Sequence, residues 1–272
     1  MNRVYEFPNG VRYEGEVNRQ GLPEGQGTIV YPDGSNYEGE WKNGMKDGRG
    51  RQVFTESEEY EGEWKNNKKH GVGTRDGKGV YVYKDGSVYQ GDWVNDLRHG
   101  EGIITYPNGE RYSGQWSQGY SEGEGEAFYA DGGHYMGEWE RGRRQGRGMY
   151  TFANLDTYDG EWDKDLVHGK GVYNAHGNGI YTGEFKYGQR EGSGTLVHVN
   201  GDEFTGEWFE DKPNGRGVYK SAKDGSTFVG DWKDGKRHGT GILELIDGSP
   251  CRDEWFRGVL AVRFMPKQTE VD

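Results

Sequence analysis

A chain of 272 residues would suit one large domain or two ordinary ones, but 50 glycines, 31% hydrophobic residues and a mean hydropathy of -1.10 are the composition of a disordered polymer. What argues for order is the 14% of aromatic residues, which recur periodically instead of scattering. A formal charge of -12 weighs against nucleic-acid binding, the single Cys251 excludes an intrachain disulfide framework and a cysteine-based zinc site, and no apolar run reaches the roughly 20 residues of a membrane span.

The chain opens on Met1-Asn2-Arg3-Val4-Tyr5, with no apolar signal-peptide core, and the sequence predicts a soluble protein of a reducing, intracellular compartment. Val4 to Phe7, followed by Pro8-Asn9-Gly10, reads as the second half of a unit whose first half is missing. From there a signature of the form Tyr/Phe-x-Gly-Glu/Asp/Gln-Trp recurs almost to the C-terminus, and all nine tryptophans fill its last slot, with Val17 and Phe185 standing in for two others. Its leading aromatics are Tyr13, Tyr37, Tyr60, Tyr89, Tyr112, Tyr135, Tyr158, Tyr181, Phe204 and Phe228, at steps of 24, 23, 29, 23, 23, 23, 23, 23 and 24 residues. A fixed period of this size is a repeat array.

A Gly-x-Gly keeps the same phase, its second glycine ten residues before the next leading aromatic, as in Gly25/Gly27, Gly48/Gly50 and Gly169/Gly171. In the lengthened step Gly77-Lys78-Gly79 holds that phase before Tyr89, which places about six extra residues between Trp64 and Gly77 and predicts a loop there. Each unit divides into two strands. In the first, alternation puts Tyr37, Gly39 and Trp41 on one face and Glu38 and Glu40 on the other. A turn of about six residues, Lys42 to Asp47, leads to the glycine strand, and rings lying flat over glycine backbone explain why that strand tolerates glycine. Pro32-Asp33-Gly34, Pro107-Asn108-Gly109 and similar triplets then supply hairpin turns. The fold predicted is all-β: an elongated single-layer antiparallel meander of about 23 strands, about 105 Å long at about 4.8 Å per strand.

No catalytic, cofactor or metal residues are assigned. His70, His99, His168 and His238 share one phase of the repeat, but neighbouring units stand about 10 Å apart, too far for one zinc ion. The ladder Glu40, Glu63, Glu138, Glu161, Glu184 and Glu207 repeats a single environment, whereas paired catalytic carboxylates need two. The glycines lack the lysine and the helix of a phosphate loop.

Three surfaces are candidates for partners. On the aromatic face, Tyr31, Phe54, Tyr83, Tyr106, Tyr129 and Phe152 have no second layer to cover them; the opposite face carries Val30, Val53, Val82, Phe128 and Val197. Along the edge after the Trp slot, nine six-residue segments hold 16 Lys/Arg against 10 Asp/Glu, densest at Lys65/Lys68/Lys69, Arg141/Arg143/Arg144 and Lys233/Lys236/Arg237. That edge is either a solvated turn or a rail for acidic ligands such as phosphoinositide head groups or acidic protein tails. At the end of the chain Cys251 takes the leading aromatic slot and the apolar run Val259 to Met265 follows, including Leu260, Val262 and Phe264; it reads as a cap or as an edge for homodimerisation or docking.

Units such as residues 37–50 (YEGEWKNGMKDGRG) and 158–173 (YDGEWDKDLVHGKGVY) resemble the MORN (membrane occupation and recognition nexus) repeat, from residue 1 to about 255. The resemblance implies an elongated, twisted antiparallel sheet and a non-enzymatic scaffold or spacer that contacts other proteins in a multi-subunit cytoskeletal or ciliary assembly, axonemal or radial-spoke-like. The alternative from a different class is a phosphoinositide-dependent membrane tether. The boundaries expected are a repeat array over 1–248, a degenerate terminal repeat over 249–265 and a polar tail over 266–272.

Overall fold

The computed structural model describes residues 2–55, 58–69, 78–94 and 97–264, and every regular element among them is a β-strand, 24 in all. The chain forms two compact units, Met1–Arg143 and Arg144–Asp272. Within each unit, strands consecutive in sequence pair antiparallel, so each is a meander, as short turns require. The count exceeds 23 because one expected glycine strand is present in two pieces, Lys68–Lys69 and Lys78–Val82, both paired with Glu58–Lys65. The loop predicted after Trp64 falls mainly on residues 70–77, outside the described residues.

Glycine sets the register. Gly160 of the strand Thr157–Asp163 faces Gly171 of Leu166–Ala175, and Gly171 in turn faces Gly183. The Tyr158 ring lies over this glycine pair: a Cβ added at Gly160 would stand 2.4 Å from its hydroxyl, and one at Gly171 2.5 Å from the same ring. Tyr13, Tyr37, Tyr60, Tyr89 and Tyr181 repeat the arrangement and are almost fully buried, although the sheet has no second layer to bury them. Their core is the backbone itself.

The first glycine of Gly-x-Gly serves a different purpose. Between Gly160/Gly171 and Trp162/Val167 the glycine strand carries two more residues than its partner, a bulge in which Gly169 takes φ +59. A side chain there would be strained in backbone and would meet the Glu161 carboxylate. The two glycines therefore answer to two constraints, bulge geometry and ring contact.

The turn after the Trp slot is tighter than six residues. Lys42 pairs with Met45, leaving only Asn43 and Gly44, both at positive φ, which is a two-residue hairpin of type I′. Lys164/Asp165 and Glu210/Asp211 take the same conformation without glycine. The six-residue segment is thus a two-residue turn plus the start of a bulged strand. At the other end of each unit, Tyr31 N–H donates to the Ser35 carbonyl and Gly34 N–H to the Tyr31 carbonyl, closing a three-residue turn with Gly34 at φ +86.

Because the Tyr158 ring occupies the place of any Gly171 side chain, Gly171→Ala is expected to lower stability by about 1–3 kcal/mol. Equilibrium denaturation measures this; a variant as stable as the parent would contradict burial of rings on bare backbone.

Candidate functional site

The bulge leaves ladder groups to satisfy, and the motif satisfies them itself. Tyr158 Oη donates to the Glu161 carbonyl at 2.9 Å, and the Glu161 carboxylate accepts from Lys170 N–H at 3.3 Å. The hydroxyl contact recurs from Tyr13 to Tyr181, and the carboxylate contact recurs at Glu40, Asp92 and Glu184, with the Gln115 amide oxygen as its neutral equivalent. At Glu40, Glu161 and Glu184 the glutamate ladder is in this way a set of backbone acceptors. In Trp41, Trp64, Trp116, Trp139, Trp162 and Trp208 the indole Nε1 donates to the carbonyl of the glycine 14 residues earlier, as from Trp41 to Gly27 and Trp162 to Gly148. The Trp rings stand edge-on to the leading aromatics, Trp64 for instance to Tyr37 and Tyr60, both at 5.2 Å between centroids, and Trp208 to Tyr181 and Phe204.

Five residues after the Trp slot a cation lies across these rings. Arg98 covers Trp116 at 4.1 Å, Arg144 covers Trp162 at 4.4 Å and Arg190 covers Trp208 at 4.5 Å. Lys46 takes the place between Tyr37 and Trp64, bonded to the buried Gln52, and burial pushes its ammonium down to about 8. Arg144 and Arg190 also donate to Asp165 and Asp211, the positive-φ residues of the next turn. Units between them carry Ser121, Val167 and Pro213 at the same offset, and this alternation leaves hollows on the aromatic face. In the first unit a cavity of 250 Å³ is lined by Arg98, Tyr106, Trp116, Ser121 and Tyr129. In the second, one of 480 Å³ is lined by Phe152, Val167, Tyr173, Ala175 and Arg190, among others.

Among the residues singled out on the aromatic face, Tyr31, Phe54, Tyr83, Tyr129 and Phe152 are half-buried and Tyr106 is exposed. In the second unit the row continues as Ala175, His198, Ser221 and Leu245, and the larger cavity opens where Ala175 replaces a ring. Along the basic edge Lys65, Lys68, Arg141, Arg143, Lys233 and Lys236 are exposed, and Lys65 pairs with Asp47 at 3.1 Å; the Lys69 side chain lies outside the described residues. Arg144 and Arg237 are turned onto rings, Arg237 over Phe228 at 4.4 Å. Val259, Leu260, Val262 and Phe264 lie exposed on the last strand, which pairs with Pro250–Phe256 on one side. Met265 lies outside the described residues.

The family model for the MORN repeat matches eleven segments, 13–36, 37–56, 60–76, 73–88, 89–111, 112–134, 135–157, 158–175, 181–203, 204–226 and 228–249. The chain belongs to the MORN repeat family. The matches at 60–76 and 73–88 overlap where the period lengthens. A search of curated proteins finds no match. Among solved structures, the chain is similar to the TCP10 domain of Danio rerio CPAP in complex with a STIL peptide, at 11% identity and TM-score 0.35 over 98% of this chain and 100% of that one. It is also similar to the SAS-4 (dCPAP) TCP domain of Drosophila melanogaster bound to a proline-rich motif of Ana2 (dSTIL), at 13% identity and TM-score 0.36, over 68% and 90% of the two chains. Scores this low carry no argument about this protein. Family membership alone makes it a repeat protein of a kind commonly engaged in protein or membrane contacts.

MORN units here differ in one atom with a measurable effect. Phe204 and Phe228 lack the hydroxyl that elsewhere satisfies the bulge carbonyl, so Phe204→Tyr is expected to stabilise and Tyr158→Phe to destabilise, each by about 0.5–1.5 kcal/mol, in denaturant melts. The tyrosines also set an alkaline limit. Burial, foremost, pushes the Tyr13 and Tyr181 hydroxyls from 10.0 up to about 12. A raised phenol pKa means that folding holds the neutral form, so this stabilisation is complete below pH 10 and is lost as pH rises toward 12. Tyrosinate absorbance and loss of β-sheet circular dichroism should therefore rise together above pH 10; buried tyrosines that ionise at 10 while the sheet persists would contradict the assignment.

Proposed function

We propose that this MORN protein is a non-enzymatic scaffold whose aromatic face is its docking surface, holding other proteins in a cytoskeletal or ciliary assembly. The observation that carries the reading is the distribution of rings. Leading tyrosines and tryptophans are consumed by the chain's own backbone, whereas the row at Tyr31, Phe54, Tyr83, Tyr106, Tyr129 and Phe152 stays accessible at its rim, and Tyr106 and Tyr129 line a cavity of 250 Å³ and Phe152 one of 480 Å³. Rigid aromatic residues around ready-made hollows are what a protein hot spot uses. Non-enzymatic action is favoured because the repeated carboxylates bond the chain's own N–H groups, as Glu40 and Glu161 do. The cytoskeletal and ciliary setting rests on family resemblance. The exposed strand Val259–Phe264 offers a second contact, through which two copies of the chain would pair edge to edge.

Affinity purification from the native cell tests this with two variants, Tyr106→Ala on the aromatic face and a Lys65→Glu/Arg141→Glu/Lys233→Glu combination on the basic edge. The expected result is stable protein partners that the first change releases and the second leaves in place. Recovery of no partner and no self-association would overturn the scaffold. Release by the charge reversals alone, with sedimentation on phosphoinositide vesicles at physiological salt, would replace it with the membrane tether.

A further inference from the structure

The accessible ring row has a pitch, and the pitch selects its occupant. Tyr83, Tyr106 and Tyr129 hold the same place in successive units: each backbone N–H donates to the residue four further on, and each carbonyl accepts from Gly86, Gly109 or Gly132. Successive members are two strands apart, about 9.6 Å at a strand spacing of about 4.8 Å. A chain laid along the row must present a side chain to the same face at that interval. An α-helix returns to nearly the same face only at the seventh residue, about 10.5 Å on and about 20° short of two full turns, which overshoots the pitch by about 0.9 Å per interval and about 1.8 Å over two. An extended strand covers it in about three residues, and an odd step reverses the face. A polyproline-II helix advances about 9.3 Å in one three-residue turn and returns to the same face. Over the two intervals from Tyr83 to Tyr129 its mismatch is only about 0.6 Å.

Charge adds a second requirement. Arg144 and Arg190 each meet an aspartate 21 residues later, Asp165 and Asp211, but for Arg98 that position is Gly119. Its guanidinium stacks on Trp116 at 4.1 Å, donates to the Gly119 carbonyl at 2.7 Å and, among the described residues, meets no carboxylate. It lines the 250 Å³ cavity together with Tyr106 and Tyr129. A guanidinium has five N–H donors in a planar fork, so Arg98 keeps donors for an incoming acid.

We propose that the Tyr83, Tyr106 and Tyr129 row binds a polyproline-II segment of another protein, with proline or another apolar residue at every third position and a carboxylate that reaches Arg98. The proposal rests on the reading of the aromatic face as the docking surface and names what docks there. A preformed helix of this kind loses little conformational freedom on binding.

The probe is a fluorescent peptide of about twelve residues, four turns of polyproline II, made of an Asp followed by Pro-Pro-Leu repeats, titrated against the full chain. Its comparators replace every Pro with Gly, replace Asp with Asn, or substitute an acidic amphipathic helix. Saturable binding is expected, at least tenfold weaker for the glycine peptide and at least fivefold weaker for Tyr106→Ala, while Met136→Ser, exposed on the other face, changes nothing. Arg98→Gln should weaken the Asp peptide and leave the Asn peptide unaffected. Should Tyr106→Ala unfold, a photocrosslinker placed at Tyr106 reports contact independently, and crosslinks to the peptide are expected there. No saturable binding, equal binding of the glycine or helical peptide, or indifference to both substitutions would overturn the proposal. If native partners are still released by Tyr106→Ala while the peptide does not bind, only the polyproline occupant falls; if neither responds, the docking face falls with it.

Discussion

An aromatic ring laid across two facing glycines is the contact on which the rest of this structure depends. A lone sheet has no second layer to cover its side chains, and here the cover comes from within the sheet. Tyr158 lies over Gly160 and Gly171, and Trp162 stands edge-on to it at 5.4 Å. Removing the Cβ atoms from one strand pair lets the ring reach van der Waals contact with Cα and peptide atoms. The glycine strand loses conformational economy by this, about 0.5–1 kcal/mol per glycine, and recovers it through the burial of a whole Tyr. The edge-to-face contacts, at about 0.5–1.5 kcal/mol each, link every unit to the next within the two compact units. Stability of this kind accumulates through neighbours.

The same motif resolves a conflict created by the bulge. Two extra residues in the glycine strand open the ladder at Glu161 and Lys170, where unpaired backbone groups would otherwise lie half-buried. Tyr158 donates to the Glu161 carbonyl, and Glu161 accepts the Lys170 N–H. One signature therefore supplies the ring, the glycine under it, the donor and the acceptor. A chain this polar can keep its order because its polar side chains finish the hydrogen bonding of its own backbone. Arg98, Arg144 and Arg190 follow the same rule, each placing a flat cation on a Trp face while its N–H groups hold the neighbouring turn.

Strand alternation, the antiparallel meander and the placement of Tyr37, Gly39 and Trp41 on one face were legible in the sequence because they need only period and parity. Three things were not. Ring contact as the single reason for glycine in this strand misses the positive-φ bulge at Gly48, since Gly48 and Gly50 look alike until φ is known. The two-residue turn at Asn43/Gly44 was obscured because its flanks read as loop by composition. The inward turn of Arg144 and Arg237 could have been found: Lys46, Arg98, Arg144, Arg190 and Arg237 all stand five residues after the Trp slot, whereas counting charge along an edge treats every cation there as solvated.

The last repeat shows what happens when the ring is withdrawn. In the register where glycine faces glycine, Gly241 faces Asp253, and Cys251 stands where Tyr or Phe stands in every earlier unit. The two substitutions require each other. A carboxylate could not enter the space over the strand while a ring filled it, and a thiol is too small to cover the glycine pair. Asp253 is fully buried, and a buried carboxylate persists only when paired. Arg263, from the final strand, meets it with two parallel bonds of 2.8 and 2.9 Å. The strand Val259–Phe264 is thus tied by an ion pair where the earlier glycine pairs lie under a ring, and the series of ring-on-glycine contacts ends at Phe228. Held in this way, the strand keeps Val259, Leu260, Val262 and Phe264 exposed, because an ion pair fixes it in place without any ring to bury them.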